Sequence, residues 1–471
     1  MLDVSSEEIT EGDLTRSMLL LAVPLVAQGF VRVIEQVVDL FWLGRLSGDA
    51  VAGVGLSMPV YTLVVAAVFY APMVGTQVVV SQRVGGGNEA GARRAAFTGV
   101  LVAGGVALAV GAVGYVLADP AIGFLASMDP RVESGLQLRE TAAAYLRILL
   151  LGLSLAAVSD VIENVYIAHG DSKTSLYMNL LTVVVIVVLD PLLIFGVWVF
   201  PRLEVQGAAL ATVVGWAAGL ALGAGLVLSR RRPGLFSRAT ARFDTGDARE
   251  ILDVGVPTAG QQLARQVARF AVVVVVFLAG GAAGVAAYYI GAQVATVAFT
   301  PAISFQQAVQ SVVGQNLGAN QPARADRATW TATGLAVGAL TVLGVGQLLV
   351  PGAIVDVLAP ELEGQAAAFT VDYLTILAYG YPAIGAAYLL EAGFNGARRT
   401  RVSFVASALQ FYAVRLPIAA GGALYLGVGV HAVFWAVTIS NVVMAVGLAA
   451  YYYYSVSDGM FERAVESTTV D

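Results

Sequence analysis

The sequence has no cysteine, a single lysine, two histidines and little charge for its size. Without cysteine there is no disulfide, no thiolate nucleophile and no thiolate metal site. His169 and His431 stand far apart and match no metal-ligand spacing. Only 12% of the 471 residues are charged, whereas 58% are hydrophobic; in a soluble domain roughly a quarter are charged. A soluble fold of this length has no way to hide that much hydrocarbon, so the bilayer is expected to be the solvent. The net charge is −6, and the basic residues form no patch with interleaved aromatics, so nucleic acid is not an expected partner. Arginine is almost the only base and both ends are acidic, which fits a salt-loving source and a GC-rich genome equally well. The run "GGGN" from Gly85 lacks the strand–turn–helix setting of a phosphate loop and reads as a turn. No paired catalytic residues appear, so neither an enzyme nor a cofactor is expected.

What is present is said twice. Val23-Pro24 recurs as Val256-Pro257, Gln28 as Gln261 and Arg32 as Arg265, and "GTQVVVSQRVGGGNEAGARRAA" from Gly75 recurs as "AVQSVVGQNLGANQPARADRAT" from Ala308. All share an offset of 233, about half the chain. A membrane span needs about 20 mostly apolar residues. Twelve such runs are readable, six between Met18 and Leu228 and six between Ile251 and Tyr454. The expected fold is therefore an all-α polytopic membrane protein of two pseudo-symmetric six-helix bundles. Its expected parts are an N-terminal lobe (1–228), a charged linker (229–250), a C-terminal lobe (251–455) and a tail (456–471). The acidic N-terminus is unlike a signal peptide, and no cleavage is expected.

Orientation follows from the basic residues of the loops. With the N-terminus inside, the cytoplasmic segments carry 17 of the 26 and the outer loops only four: Arg45, Arg131, Arg139 and Arg202. Both termini are expected in the cytoplasm of a multi-pass cell-membrane protein. An even number of spans per half makes the repeats parallel, related by an axis along the membrane normal.

Charge inside a span is costly and marks function or a buried pair. The first span carries Gln28, Arg32, Glu35 and Asp39, whose spacings of 4, 3 and 4 put them on one helical face. The seventh span repeats Gln261 and Arg265 and has Arg269 where the first has Gln36, but Ala268 and Val272 replace Glu35 and Asp39. A further acid, Asp190, precedes Pro191, which removes a helical hydrogen bond and frees the carbonyl of Val187. Aligning Pro417 with Pro191 puts Leu416 in the place of Asp190. Asp160 and Glu163, followed by Asn164, add acid to the fourth span. Asp39, Asp190, Glu35, Asp160 and Glu163 are thus the candidates for proton or cation coupling, with Asp39 and Asp190 the candidate sodium ligands. Gln28, Arg32, Gln36, Asn164, Gln261, Arg265 and Arg269 are candidates for a substrate cavity. Arg32 with Glu35 and Arg265 with Glu391 are the expected structural pairs.

Several of these segments together resemble the multidrug and toxic compound extrusion (MATE) family. They are "AVPLVAQGF", "VVDLFWLGRLSGDAVAGVGLS", "SQRVGGGNEAGARRAA", "AHGDSKTSLYMNLLTVVVIVVLDPLLIFG", "GVPTAGQQ" and "GQNLGANQPARADRA", in this order. The resemblance runs from about Thr15 to Tyr454. It implies a two-lobed exporter of bulky, often cationic amphipathic small molecules, working as a monomer in exchange for inward protons or sodium. It also implies that Asp39 and Asp190 are the coupling acids of the branch that keeps them in the N-terminal lobe. Members commonly have an asparagine four residues before the "LDP" aspartate, whereas this chain has Ile186. A flippase for lipid-linked saccharides shares the wider architecture, and the cluster Arg265, Arg269 and Arg415 would suit its anionic cargo.

Overall fold

The structure is a computed structural model, and it describes residues 6–127, 136–228, 240–359 and 362–469. Arg131 and the first part of the expected linker, 229–239, lie outside the described residues, as do the last two residues of the tail. Among the described residues there is no strand. Ten helices among the described residues are long and apolar enough to cross a bilayer. Two bent pairs, at 42° and 50°, bring the number to twelve where each pair counts as one span. In chain order the twelve are Leu14–Leu46, Ala50–Gly85, Glu89–Ala126, Leu138–Ala168, Ser172–Phe195 and Val205–Leu226, then Thr245–Gly281, Ala283–Val297 with Phe299–Gly318, Pro322–Leu349, Gly364–Ala378 with Tyr381–Gly396, Thr400–Tyr425 and Val430–Ser457.

Apolar runs of this length become helices because a helix satisfies its backbone within the segment. The ends are set by local chemistry. Asp13 and Asp244 each accept the backbone N–H three residues on, capping the first and seventh spans, and Asn88 and Asp171 do the same for the third and fifth. Gly281, at φ 57° and ψ −152°, breaks what would otherwise be one helix into the seventh and eighth spans. The fifth span runs unbroken through Pro191.

Four turns share one geometry. Gly87, Gly170, Asn320 and Arg398 all have positive φ. In each case the next residue donates its N–H to the carbonyl five positions back: Asn88 to Arg83, Asp171 to Tyr166, Gln321 to Asn316 and Arg399 to Phe394. The left-handed residue lets the chain satisfy the last helical carbonyls as it leaves. The turn at Asn320 repeats that at Gly87 with the offset of 233. The turn at Arg398 repeats that at Gly170 with an offset of 228 (171 to 399, 166 to 394). Aligning Pro191 with Pro417 requires 226, so the register at this turn does not support that pairing.

The chain forms two compact units. One is built of Val23–Ala259, the other of Glu7–Ala22 and Gly260–Asp471. The start of the seventh span, residues 245–259, packs tightly within the first unit. A Cβ on Gly75 would lie 2.0 Å from the carbonyl oxygen of Ile251, and one on Gly255 would lie 1.8 Å from that of Ala71. Arg83 and Arg94 both bind Asp247, each at 2.8 Å. Buried Val79, Ala96, Leu146, Leu153, Val161 and Ile251 belong to this unit's core. In the second unit, Asn316 and Arg324 donate to the carbonyl of Ile9, and Val276, Tyr373, Tyr381 and Phe434 are in the core.

Candidate functional site

In the first unit, the helical spacing of the first span carries its polar stripe toward the fourth and fifth spans. Asp39 and Asp190 are brought close enough for their carboxyl groups to interact. Asp190 is 1% exposed, and among the described residues no donor reaches either of its oxygens or Oδ1 of Asp39. Glu35, half-buried, stands one turn before Asp39. Buried Tyr145 of the fourth span is near enough to Asp39, Asp190 and Glu35 to interact with all three electrostatically. Apolar Leu43, Ala50, Leu149 and Ile194 form a core cluster with Tyr145. Ile186 is fully buried, and its side chain lies against Gly215 of the sixth span. It brings no polar atom to Asp190.

One helical turn deeper in sequence, a second polar group forms. Gln28 Nε2 donates to Glu163 Oε2 at 2.6 Å, and Ser175 Oγ donates to Gln28 Oε1 at 3.1 Å. The guanidinium of Arg32 lies 3.6 Å from Glu163 and 3.8 Å from Asp160. This corrects the expected Arg32–Glu35 pair. An arginine placed N-terminal to a glutamate on one helix is the poorer orientation for pairing, and its long side chain reaches the carboxylates of the fourth span instead. Asn164 turns back to donate to the carbonyl of Asp160 at 2.8 Å. Gln36 is exposed and joins neither group.

The second unit rebuilds this polar group. Gln261 Nε2 donates to Glu391 Oε1 at 2.8 Å, and Arg265 binds the same oxygen at 2.9 Å, the expected pair. Ser407 Oγ accepts from both Gln261 and Arg265, and Gln306 donates to Glu391 Oε2 at 3.1 Å. Glu391 stands at the offset of 228 from Glu163, in the register that the turns define. Nothing in the second unit corresponds to the Asp39–Asp190 pair, since Val272, the counterpart of Asp39, is apolar and fully buried.

Beside Glu391 the second unit has an open cavity of about 370 Å³, lined by Arg265, Arg269 and Arg415 among others. Gln261 does not line it; it lies buried and holds Glu391. The eleventh span changes to a π-helix over Leu409–Arg415, a wider geometry often found at functional sites. Gln410, Phe411 and Arg415 from this stretch line the cavity. Sequence reasoning missed Tyr145, whose apolar helix gave no signal, and the tyrosines 288, 289 and 388 that line this cavity. It also missed the π-helix, although a proline within two residues of an arginine inside a span was a cue.

The MatE family model matches residues 24–192 and 257–420 of this chain, one stretch in each half. A FAD transporter from Shewanella oneidensis is 25% identical over 419 residues, 88% of each chain. The multidrug resistance protein NorM of Burkholderia vietnamiensis is 27% identical over 454 residues, 93% of each. Among solved structures, a multidrug resistance MATE family transporter of the MOP superfamily in an outward-facing conformation superposes with a TM-score of 0.86 at 21% identity. That match covers 97% of this chain and 99% of the other.

Proposed function

The chain belongs to the MatE family, and we propose that it is a secondary active antiporter. It exports bulky amphipathic organic compounds in exchange for inward protons, coupled through Asp39 and Asp190. The observation that carries this reading is the proximity of these two carboxyl groups, with no donor among the described residues to either oxygen of buried Asp190. Two carboxylates hydrogen-bond each other only when one holds a proton, and ionised they repel. A proton entering here therefore joins the first and fifth spans, and its departure drives them apart. Coupling to transport needs such a two-state element, whose balance the ion and the cargo both bias. The free energy comes from the ion gradient, so the mechanism requires no nucleotide.

Sodium is the weaker choice. A hard cation stripped of water needs several oxygen ligands together, and Ile186 offers a hydrocarbon where relatives offer an amide. Arg32, Asp160 and Glu163 form the neighbouring ionic group, and the acid-rich stripe of the first span favours cationic cargo in this unit. The arginine-lined cavity of the second unit favours anionic cargo, and the FAD transporter from Shewanella oneidensis is a relative whose cargo carries phosphates. The same arginines support the second reading, a flippase for lipid-linked saccharides, which would move its lipid without a proton gradient. The distribution of basic residues supports a cytoplasmic place for both termini and the linker.

The test is dye efflux from cells at matched protein level. Asp39→Asn and Asp190→Asn are each expected to abolish gradient-driven efflux while the protein still inserts. Wild-type efflux from either variant removes that acid from the coupling site.

A further inference from the structure

Three arginines and one carboxylate open onto the cavity of the second unit. Glu391 is already saturated: Arg265, Gln261 and Gln306 all donate to it, and Arg265 neutralises its charge. Arg415 and Arg269 remain. Arg415 is 7% exposed and donates only to neutral groups, Ser440 Oγ at 2.8 Å and Asn441 Oδ1 at 2.7 Å. Its guanidinium also lies 4.3 Å from the ring centre of Phe411. Arg269 donates to the amide oxygen of Gln266 at 3.3 Å. Among the described residues neither has a carboxylate partner. A buried guanidinium without a counter-charge is expensive in a membrane-spanning segment; Arg415 is such a group, and with the exposed Arg269 it gives the cavity a surplus of two positive charges. The remaining walls mix aliphatic side chains with aromatic rings, Tyr288, Tyr289, Phe299, Tyr388 and Phe411 among them.

We propose that this cavity is a binding site for an aromatic organic anion, with Arg415 and Arg269 supplying its counter-charge and the tyrosine and phenylalanine rings its apolar wall. Guanidinium groups bind phosphate and carboxylate through paired N–H donors. The volume lies in the range of small-molecule sites. Gln410 braces the arrangement by donating to the same Asn441 oxygen, at 2.7 Å, that Arg415 uses. The π-helical turn brings Phe411 and Arg415 to one face. This proposal rests on the reading of the chain as an exporter and assigns the cargo class of its second unit.

The experiment is equilibrium binding to the purified full chain in detergent, followed by ligand fluorescence. Riboflavin 5′-phosphate and riboflavin share a ring system and differ by the phosphate, and ethidium supplies an aromatic cation. The phosphate ester is expected to bind at least about tenfold more tightly than riboflavin, the effect of one charge-assisted contact. Arg269→Gln, at an exposed position, is expected to remove about tenfold of that affinity, and Arg415→Gln more. Phosphatidic acid, which has the phosphate without the ring, is expected to compete poorly. Equal binding of riboflavin and its phosphate, or unchanged affinity in Arg269→Gln, overturns the proposal. So does ethidium displacing the ester at equal concentration, or phosphatidic acid competing as well as the ester itself. Asp39→Asn separates this site from coupling, because it is expected to keep the binding preference while losing transport. Normal transport by that variant defeats the coupling reading, and its binding curve still decides the anion site.

Discussion

Gln28 and Gln261 hold equivalent places in the two halves, and each donates its side-chain amide to a buried glutamate, Glu163 at 2.6 Å and Glu391 at 2.8 Å. In each half the arginine one turn further along the helix approaches that same glutamate. The two nodes differ in exposure. The side chain of Arg32 is 48% exposed and its contacts are 3.6 and 3.8 Å long, whereas that of Arg265 is 11% exposed and 2.9 Å from Glu391. A duplicated scaffold has thus kept its polar joint while its acids diverged.

That difference in exposure predicts different costs. Arg265→Gln leaves the Glu391 carboxylate buried without its charge partner and is expected to destabilise by about 3–5 kcal/mol. Arg32→Gln is expected to cost less than Arg265→Gln, because its contacts are longer and Gln28 and Ser175 still donate to Glu163. Adding Glu391→Gln to Arg265→Gln is expected to restore most of the loss. Thermal unfolding in detergent measures all of these, and a double variant no more stable than Arg265→Gln argues that the pair is not the source of the cost.

Ion choice is read in proteoliposomes. Efflux is expected with a proton gradient in sodium-free buffer and absent with a sodium gradient at equal pH. Transport on sodium alone, with none on protons alone, assigns the Asp39–Asp190 pair to sodium.

Gly255 is expected to tolerate no side chain. A Cβ there would meet the carbonyl oxygen of Ala71 at 1.8 Å, a backbone atom that cannot swing away. Gly255→Ala is expected to destabilise by about 1–3 kcal/mol, the usual cost of overpacking. Gly338→Ala is the control: nothing lies within 4 Å of its added Cβ, and the helix gains up to about 1 kcal/mol from the better helix former. Equal melting temperatures for the two variants would contradict the close approach.

Topology is tested on the absence of native cysteine. A single Thr240→Cys is expected to resist an impermeant maleimide in intact cells and to label after permeabilisation. Labelling from outside reverses the orientation.

The helical periodicity of the first span made Gln28, Arg32, Glu35 and Asp39 legible as one stripe, and the failure of the seventh span to repeat Asp39 pointed to the first half. Which partner each charge takes was not legible, since Arg32 reaches across to the fourth span and a long side chain leaves no trace of its direction in the sequence. The repeat offset of 233 held through the turn at Asn320. It became 228 by the turn at Arg398, because loops absorb insertions without disturbing the spans, and that slip misplaced Pro417. The cavity of the second unit could be read only as a cluster of arginines. Its aromatic walls come from spans whose tyrosines and phenylalanines look, in sequence, like any lipid-facing residue.

The membership of the two units has a consequence for how the chain is made. Ile9 and Gly12 leave the ribosome some 300 residues before Asn316 and Arg324, which bind their carbonyls. Likewise the first unit stays open along Gly75 until Ile251 and Gly255 have been synthesised, after all of its own six spans. Six spans released alone would therefore present a bare helix face. The first unit can close once residue 259 has been made, about halfway along the chain, whereas Glu7–Ala22 must wait unpacked until the second unit's spans follow.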